Sequence, residues 1–145
     1  MFNLLIGGAA GQGIETAGAV FEKYLKHNGF NIFSTKDLMS RVRGGHNFTN
    51  MRISRQRVRT HDYMVDGILA LNQDSIDLHL QSLRESGFVL ADESLQSTDE
   101  RVISLPMNRI AKELGNPRVA SSVAVGALIR LFDLPHDRMT ELFGL

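Results

Sequence analysis

The chain has no cysteine and no tryptophan among its 145 residues, three prolines and no net formal charge. Without cysteine it has no disulfide, no thiol nucleophile and no cysteine ligand for an iron–sulfur cluster. No apolar run approaches the roughly 20 residues that span a bilayer. Met1-Phe2-Asn3 followed by Leu4-Leu5-Ile6 lacks the charged start and long apolar core of a secretion signal. The expectation is a cytoplasmic chain without membrane contact. The histidines, His27, His46, His61, His79 and His136, are dispersed with no His-x-x-x-His pair, so no metal site is expected. No Ser/His/Asp set is legible. Asp92-Glu93 and Asp99-Glu100 are neighbours in a polar stretch, poor material for a catalytic carboxylate pair.

The balanced charge hides an uneven distribution. Residues 36–61 carry seven basic residues, Lys36, Arg41, Arg43, Arg52, Arg55, Arg57 and Arg59, against one acid, Asp37, and the compensating negative charge lies elsewhere. A neutral chain with one basic segment points to a local anion site. Nucleic-acid binding would need aromatics interleaved with the arginines, and only Phe48 is near, so no nucleic-acid partner is expected. Arg52, Arg55, Arg57 and Arg59 read as a solvated or subunit-facing surface.

The length suits one domain over residues 1–145. Phe2–Ile6 is a short apolar run bounded by glycines, the pattern of a buried central strand. Helical spacing then runs from about Gln12 to His27, and Asn28-Gly29 supplies its end. Phe30–Ser34 reads as a second strand, parallel to the first through a βαβ unit. Residues 35–46 read as loop. Phe48–Ile53 alternates as a strand, with a hairpin return near Val58. Further strands are expected at Gly67–Leu71, Phe88–Ala91 and Val102–Leu105, and a helix at Asp74–Leu83. Arg84–Gly87 reads as a turn and residues 92–100 as a solvated acidic loop. Pro106 suits a helix start, and helices are expected over Pro117–Phe132 and His136–Phe143. The fold class is α/β: a three-layer α/β/α domain, its sheet mostly parallel with a short antiparallel hairpin. Phe143-Gly144-Leu145 offers no finishing element, which suggests a piece truncated at its C-terminus.

Two loops carry the chemistry. Gly7-Gly8-Ala9-Ala10-Gly11-Gln12-Gly13 joins the first strand to the first helix, where backbone N–H groups and the helix dipole converge. From Gly8 its order is G-x-x-G-x-G, whereas the dinucleotide fingerprint is G-x-G-x-x-G, and no Walker lysine follows. The loop holds a phosphorylated ligand or is simply a tight turn. Ser40-Arg41-Val42-Arg43-Gly44-Gly45-His46-Asn47 follows the second strand. Its guanidinium forks suit phosphate or carboxylate, or are ordinary surface charges. In a parallel sheet both loops leave the carboxyl edge, where ligands bind.

Together the motifs Gly8–Gly18 and Ser40–Asn47 resemble the gamma subunit family of 2-oxoacid:ferredoxin oxidoreductases. Met51-Arg52-Ile53-Ser54, Asp66–Asn72 and Val123–Leu128 agree with it. The family takes in pyruvate, 2-oxoglutarate and ketoisovalerate enzymes, and the Arg-Gly-Gly-His-Asn form is most similar to the version fused ahead of the alpha region, which includes 2-oxoglutarate and broad 2-oxoacid enzymes. The resemblance implies conversion of a 2-oxoacid, coenzyme A and oxidised ferredoxin to an acyl-CoA, carbon dioxide and reduced ferredoxin. It implies that thiamine pyrophosphate, magnesium and the iron–sulfur clusters sit on partners, the alpha and beta subunits. It places coenzyme A at this domain, against Gly8, Gly11, Gln12, Gly13, Arg41, Arg43, Gly44 and Gly45, with no catalytic residue of its own. A stand-alone nucleotide-binding regulator and a pure scaffold are the alternatives.

Overall fold

The computed structural model describes residues 2–9, 14–38, 46–54, 64–115, 123–124 and 126–128. Its strands are β1 (Phe2–Ala9), β2 (Asn31–Leu38), β3 (His46–Ser54), β4 (Val65–Ala70), β5 (Leu83–Asp92) and β6 (Val102–Leu105). The helices are α1 (Ile14–His27), α2 (Gln73–His79) and α3 (Met107–Glu113). The strands form one sheet in the order β2-β3-β1-β4-β5-β6. All but β3 run the same way.

β1 is buried on both faces. Phe2, Leu4 and Ile6 point to one side, where Ile14, Ala17, Phe21 and Leu25 of α1 meet them. Those helix positions recur every three or four residues, the spacing that places apolar groups on one helix face. Leu5 points to the other side, with Ile68, Val89 and Ile76 of α2. Helices on both faces of a mainly parallel sheet give the three-layer α/β/α arrangement.

α1 ends as its Asn28-Gly29 pair foretells. Gly29 has φ +87°, its N–H donates to Lys26, and the Phe30 N–H donates to Leu25. Phe30 and Leu25 are both buried, completing the apolar contact that accompanies this glycine cap. The expected parallel relation of the first two strands is one of direction only: β3 lies antiparallel between them. The antiparallel strand expected at Phe48–Ile53 is β3, and its hairpin return near Val58 lies outside the described residues.

Several local readings need correction. Of the residues 35–46 read as loop, 35–38 belong to β2 and His46 to β3, because pairing of 35–38 with Asn47–Asn50 and of His46 with Ala9 outweighs their polar composition. Arg84–Gly87 is not a turn but a bulge inside β5. There β4 advances from Val65 to Gly67 while β5 advances from Leu83 to Phe88. A Cβ on Gly87 would lie 2.7 Å from the Asp66 carbonyl oxygen and 2.6 Å from a Leu83 methyl, so only glycine fits. The Arg101 guanidinium donates to the carbonyls of Leu83 and Arg84, both at 3.0 Å, where the bulge interrupts the ladder. Finally, residues 92–100 are not wholly solvated, since Asp92 is buried.

The helix read at Asp74–Leu83 stops at His79, continues as a 3-10 turn through Ser82, and yields Leu83 to β5. Pro106 stands at the start of α3 as expected. Of the helix read over Pro117–Phe132, residues 123–124 and 126–128 are helical, and Ala124 and Leu128 enter the α1-side core. The rest of it, and His136–Phe143, lie outside the described residues. Among the described residues no helix is long and apolar enough to cross a membrane.

Candidate functional site at the carboxyl edge of the sheet

The carboxyl ends of β1 and β2 and the amino end of β3 meet at one edge. Gly8 pairs with Asn47 and Ala9 with His46 on one side of β3. Leu38 pairs with the same Asn47 on the other side. Adjacent strands are about 4.8 Å apart, so the ends of β1 and β2 stand roughly 10 Å apart. Segment 10–13 leaves from Ala9 and segment 39–45 joins Leu38 to His46, so both start from this edge. The antiparallel insertion of β3 sets β1 and β2 two strands apart and returns the end of segment 39–45, at His46, directly beside Ala9.

Gly7, Gly8 and Ala9, read as the start of the glycine loop, are instead the end of β1, because they pair with Phe48, Asn47 and His46 of β3, and Gly8 is buried there. Beside it the Gly7 carbonyl accepts the Leu71 N–H at 2.9 Å, extending the edge to the end of β4. Gly11, Gln12, Gly13, Arg41, Arg43, Gly44 and Gly45 lie outside the described residues, as do Arg55, Arg57, Arg59 and the His46 side chain. The framework that carries them is described on both flanks of each segment.

α1 begins at Ile14, so its N-terminal N–H groups and the positive end of its dipole lie at the end of segment 10–13. That geometry suits an anionic group. Glu15 in the first turn opposes it, and the Lys36 ammonium of β2 lies 3.4 Å from the Glu15 carboxylate. Both side chains are exposed, so the pair is weak and either partner is available to a ligand.

The same edge continues across β4, β5 and β6 with a set of side-chain caps. Asn72 caps α2, its Oδ1 accepting from the Ser75 N–H at 3.0 Å and the Ser75 hydroxyl at 2.6 Å. Gln73 and Gln96 exchange two hydrogen bonds that hold the 92–100 segment to the start of α2. Asp92, at the end of β5, accepts from the Ser94 N–H and hydroxyl and from the Asn108 N–H. Burial pushes the Asp92 pKa up, but the hydrogen bonds from Ser94 and Asn108 outweigh it and hold the carboxyl below its ordinary value. Asp92 thereby caps α3 from across the sheet. Pro106 has no polar side chain with which to do so, and that lack is the one signal in the sequence for such a remote cap. Among the described residues no group of three or more His, Asp or Glu side chains could hold a metal ion.

The pyruvate ferredoxin/flavodoxin oxidoreductase family matches residues 3–143. The chain belongs to that family. It is 30% identical over 129 residues to 2-oxoacid:ferredoxin oxidoreductase 2, subunit alpha, of Aeropyrum pernix, covering 87% of this chain and 20% of that one. It is 30% identical to the 2-oxoglutarate synthase subunit KorC of Methanocaldococcus jannaschii, covering 94% of this chain and 78% of that one. This gamma-type domain thus has relatives both as a portion of a longer subunit and as a subunit of similar size, and it spans only a fifth of the alpha relative. Among solved structures, the 2-oxoglutarate:ferredoxin oxidoreductase of Magnetococcus marinus, with 2-oxoglutarate, coenzyme A and succinyl-CoA bound, superposes with a TM-score of 0.81 at 21% identity. That superposition covers 97% of this chain and 26% of the neighbour's. A keto/oxoacid ferredoxin oxidoreductase gamma subunit of Geobacter sulfurreducens superposes at 0.72 with 24% identity, covering 99% and 92% of the two chains. At those identities the likeness speaks for the fold.

Proposed function

We propose that the chain is the gamma-type domain of a 2-oxoacid:ferredoxin oxidoreductase and that its carboxyl edge helps hold coenzyme A. In the reaction a 2-oxoacid loses carbon dioxide, its acyl group passes to the coenzyme A thiol, and two electrons leave to ferredoxin. Thiamine pyrophosphate with magnesium supplies the decarboxylation and iron–sulfur clusters carry the electrons, both on the alpha and beta partners. This chain has neither cysteine for a cluster nor a metal-holding group among its described residues. Its own work is to bind and orient.

The observation that supports the reading is the register at β3, which sets Ala9, Leu38 and His46, the residues flanking segments 10–13 and 39–45, at one edge. Gly11, Gln12 and Gly13 offer backbone donors beside a helix start, Gly8 anchors that segment in β1 against Asn47, and Gly44 and Gly45 let the second backbone approach closely. Arg41 and Arg43 offer guanidinium forks for the phosphates of coenzyme A. The bound coenzyme A of the Magnetococcus enzyme supports the ligand choice.

Calorimetric titration of the assembled enzyme tests it. Replacing Arg43 by Gln should weaken coenzyme A about tenfold or more, the range of one charge-assisted hydrogen bond, while leaving 2-oxoacid binding unchanged. Tighter binding of NAD than of coenzyme A would overturn the assignment.

A further inference from the structure

The strand order reverses at β1. From β1 the chain runs through α1 to β2 at one outer edge of the sheet, and β3 returns between them. β4 then takes the other side of β1, and the chain continues to β5 and β6 at the opposite edge. In open α/β sheets the crevice outside the carboxyl ends at such a reversal is where ligands lie. Here that crevice falls between β1 and β4. The Leu71 N–H donates to the Gly7 carbonyl at 2.9 Å, and past that bond the two chains part. β1 leads toward α1, whose Ile14 and Ala17 join one core, and β4 leads into α2, whose Ile76 joins the other.

Asn72 stands on the β4 side of this opening. Counted on from the Gly7–Ala70 pair, it is level with Ala9 at the end of β1. Its Oδ1 accepts from the Ser75 N–H at 3.0 Å and from the Ser75 hydroxyl at 2.6 Å. Those two bonds hold the carboxamide in one orientation, and no described residue accepts from its Nδ2. An amide donor fixed in advance loses little freedom on binding. The Gln73 amide beside it is already engaged, with the Gln96 backbone and the Asp77 carboxylate.

The charge along the edge selects which part of a ligand reaches Asn72. Arg41 and Arg43 belong to the segment between β2 and β3, on the far side of β1. On the β4 side Asn72 and Gln73 are neutral, and Asp74 is acidic and exposed. Phosphates are favoured on the first side and disfavoured on the second. β2 and β4 stand three strand spacings apart, roughly 14 Å, which is shorter than an extended coenzyme A molecule.

We infer that Asn72 is a further coenzyme A-binding residue, its Nδ2 donating to an amide carbonyl of the pantetheine arm, while the phosphates lie on the arginine side of β1. The inference rests on the function proposed above and adds the direction in which the coenzyme crosses the edge.

Calorimetric titration of the assembled enzyme tests it, with coenzyme A and with adenosine 3′-phosphate 5′-diphosphate, which keeps every phosphate and lacks the pantetheine arm. Asn72→Asp and Asn72→Ser both keep an oxygen that caps α2, so unfolding midpoints should stay near wild type while the amide donor is gone. Each variant should weaken coenzyme A about three- to tenfold, the range of one neutral hydrogen bond, and leave the truncated ligand at wild-type affinity. The KM for coenzyme A should rise by the same factor, with the KM for the 2-oxoacid unchanged. Equal weakening of both ligands would put phosphate at Asn72 and overturn the inference. A loss confined to Asn72→Asp would mark repulsion by the new charge and also overturn it. Wild-type coenzyme A affinity in both variants would do the same, and the proposed function would stand if Arg43→Gln still weakens the coenzyme. A wild-type enzyme that binds no coenzyme A would remove the proposed function and the inference together.

Discussion

The Lys36 ammonium lies 3.4 Å from the Glu15 carboxylate, linking the strand that leads into segment 39–45 to the helix that follows segment 10–13. The two charges should act on an anionic ligand with opposite sign. Glu15→Gln removes an acid from the first turn of α1 and should tighten coenzyme A by about two- to fivefold, the scale of a helix-end charge. Lys36→Gln removes a cation and should weaken it by a similar factor. Calorimetry at two salt concentrations checks both, and the two effects should shrink together as salt rises. Equal shifts of the same sign would show that the pair is only structural.

Gly87 is the one residue type its position allows. Its missing Cβ would meet the Asp66 carbonyl oxygen at 2.7 Å, and backbone cannot swing aside as a side-chain tip can. Gly87→Ala should destabilise the domain by about 1–3 kcal/mol, the usual cost of forcing a methyl into a packed site. Urea unfolding measures it. Stability equal to wild type would mean that the β5 bulge relaxes freely.

Acid should loosen the segment that follows β5. Hydrogen bonds from the Arg101 side chain and backbone hold the Asp99 carboxyl at about 2, below its ordinary 3.8. A group whose folded pKa is depressed contributes stability above its ordinary value and loses it as pH falls through the folded one. That contribution should therefore fade between pH 3.8 and about 2. The loss from Asp92, also lowered, adds in the same direction and uncaps α3. Thermal unfolding at a series of pH values should show the fall, and Asp99→Asn should flatten it. An unchanged slope in that variant would remove Asp99 from the account.

Elements whose evidence is local were legible in the sequence. The apolar run at Phe2–Ile6, the helical spacing from Ile14 to Leu25 and the Asn28-Gly29 ending each specify their structure through neighbours in the chain. Elements decided by partners far along the chain were not. Residues 35–38 look like loop because Thr35, Lys36 and Asp37 are polar, and only pairing with Asn47–Asn50 makes them strand. Arg84–Gly87 has the composition of a turn, yet Asp66 and Arg101 hold it as a bulge. Asp92 reads as solvated until α3 is seen to need a cap.

The same division runs through the site. The sequence by itself determined the materials: a glycine-rich segment after a buried strand, an Arg-Gly-Gly segment after the next, a basic stretch, and no cysteine or metal-ligand pattern with which to carry redox centres. Those depend on residue type and short spacing. The tertiary structure alone decided that β3 runs back between β1 and β2, so that segment 39–45 ends at His46 directly beside Ala9. Strand order is set by which apolar faces can be buried together across the whole domain, and no local stretch of sequence contains that choice.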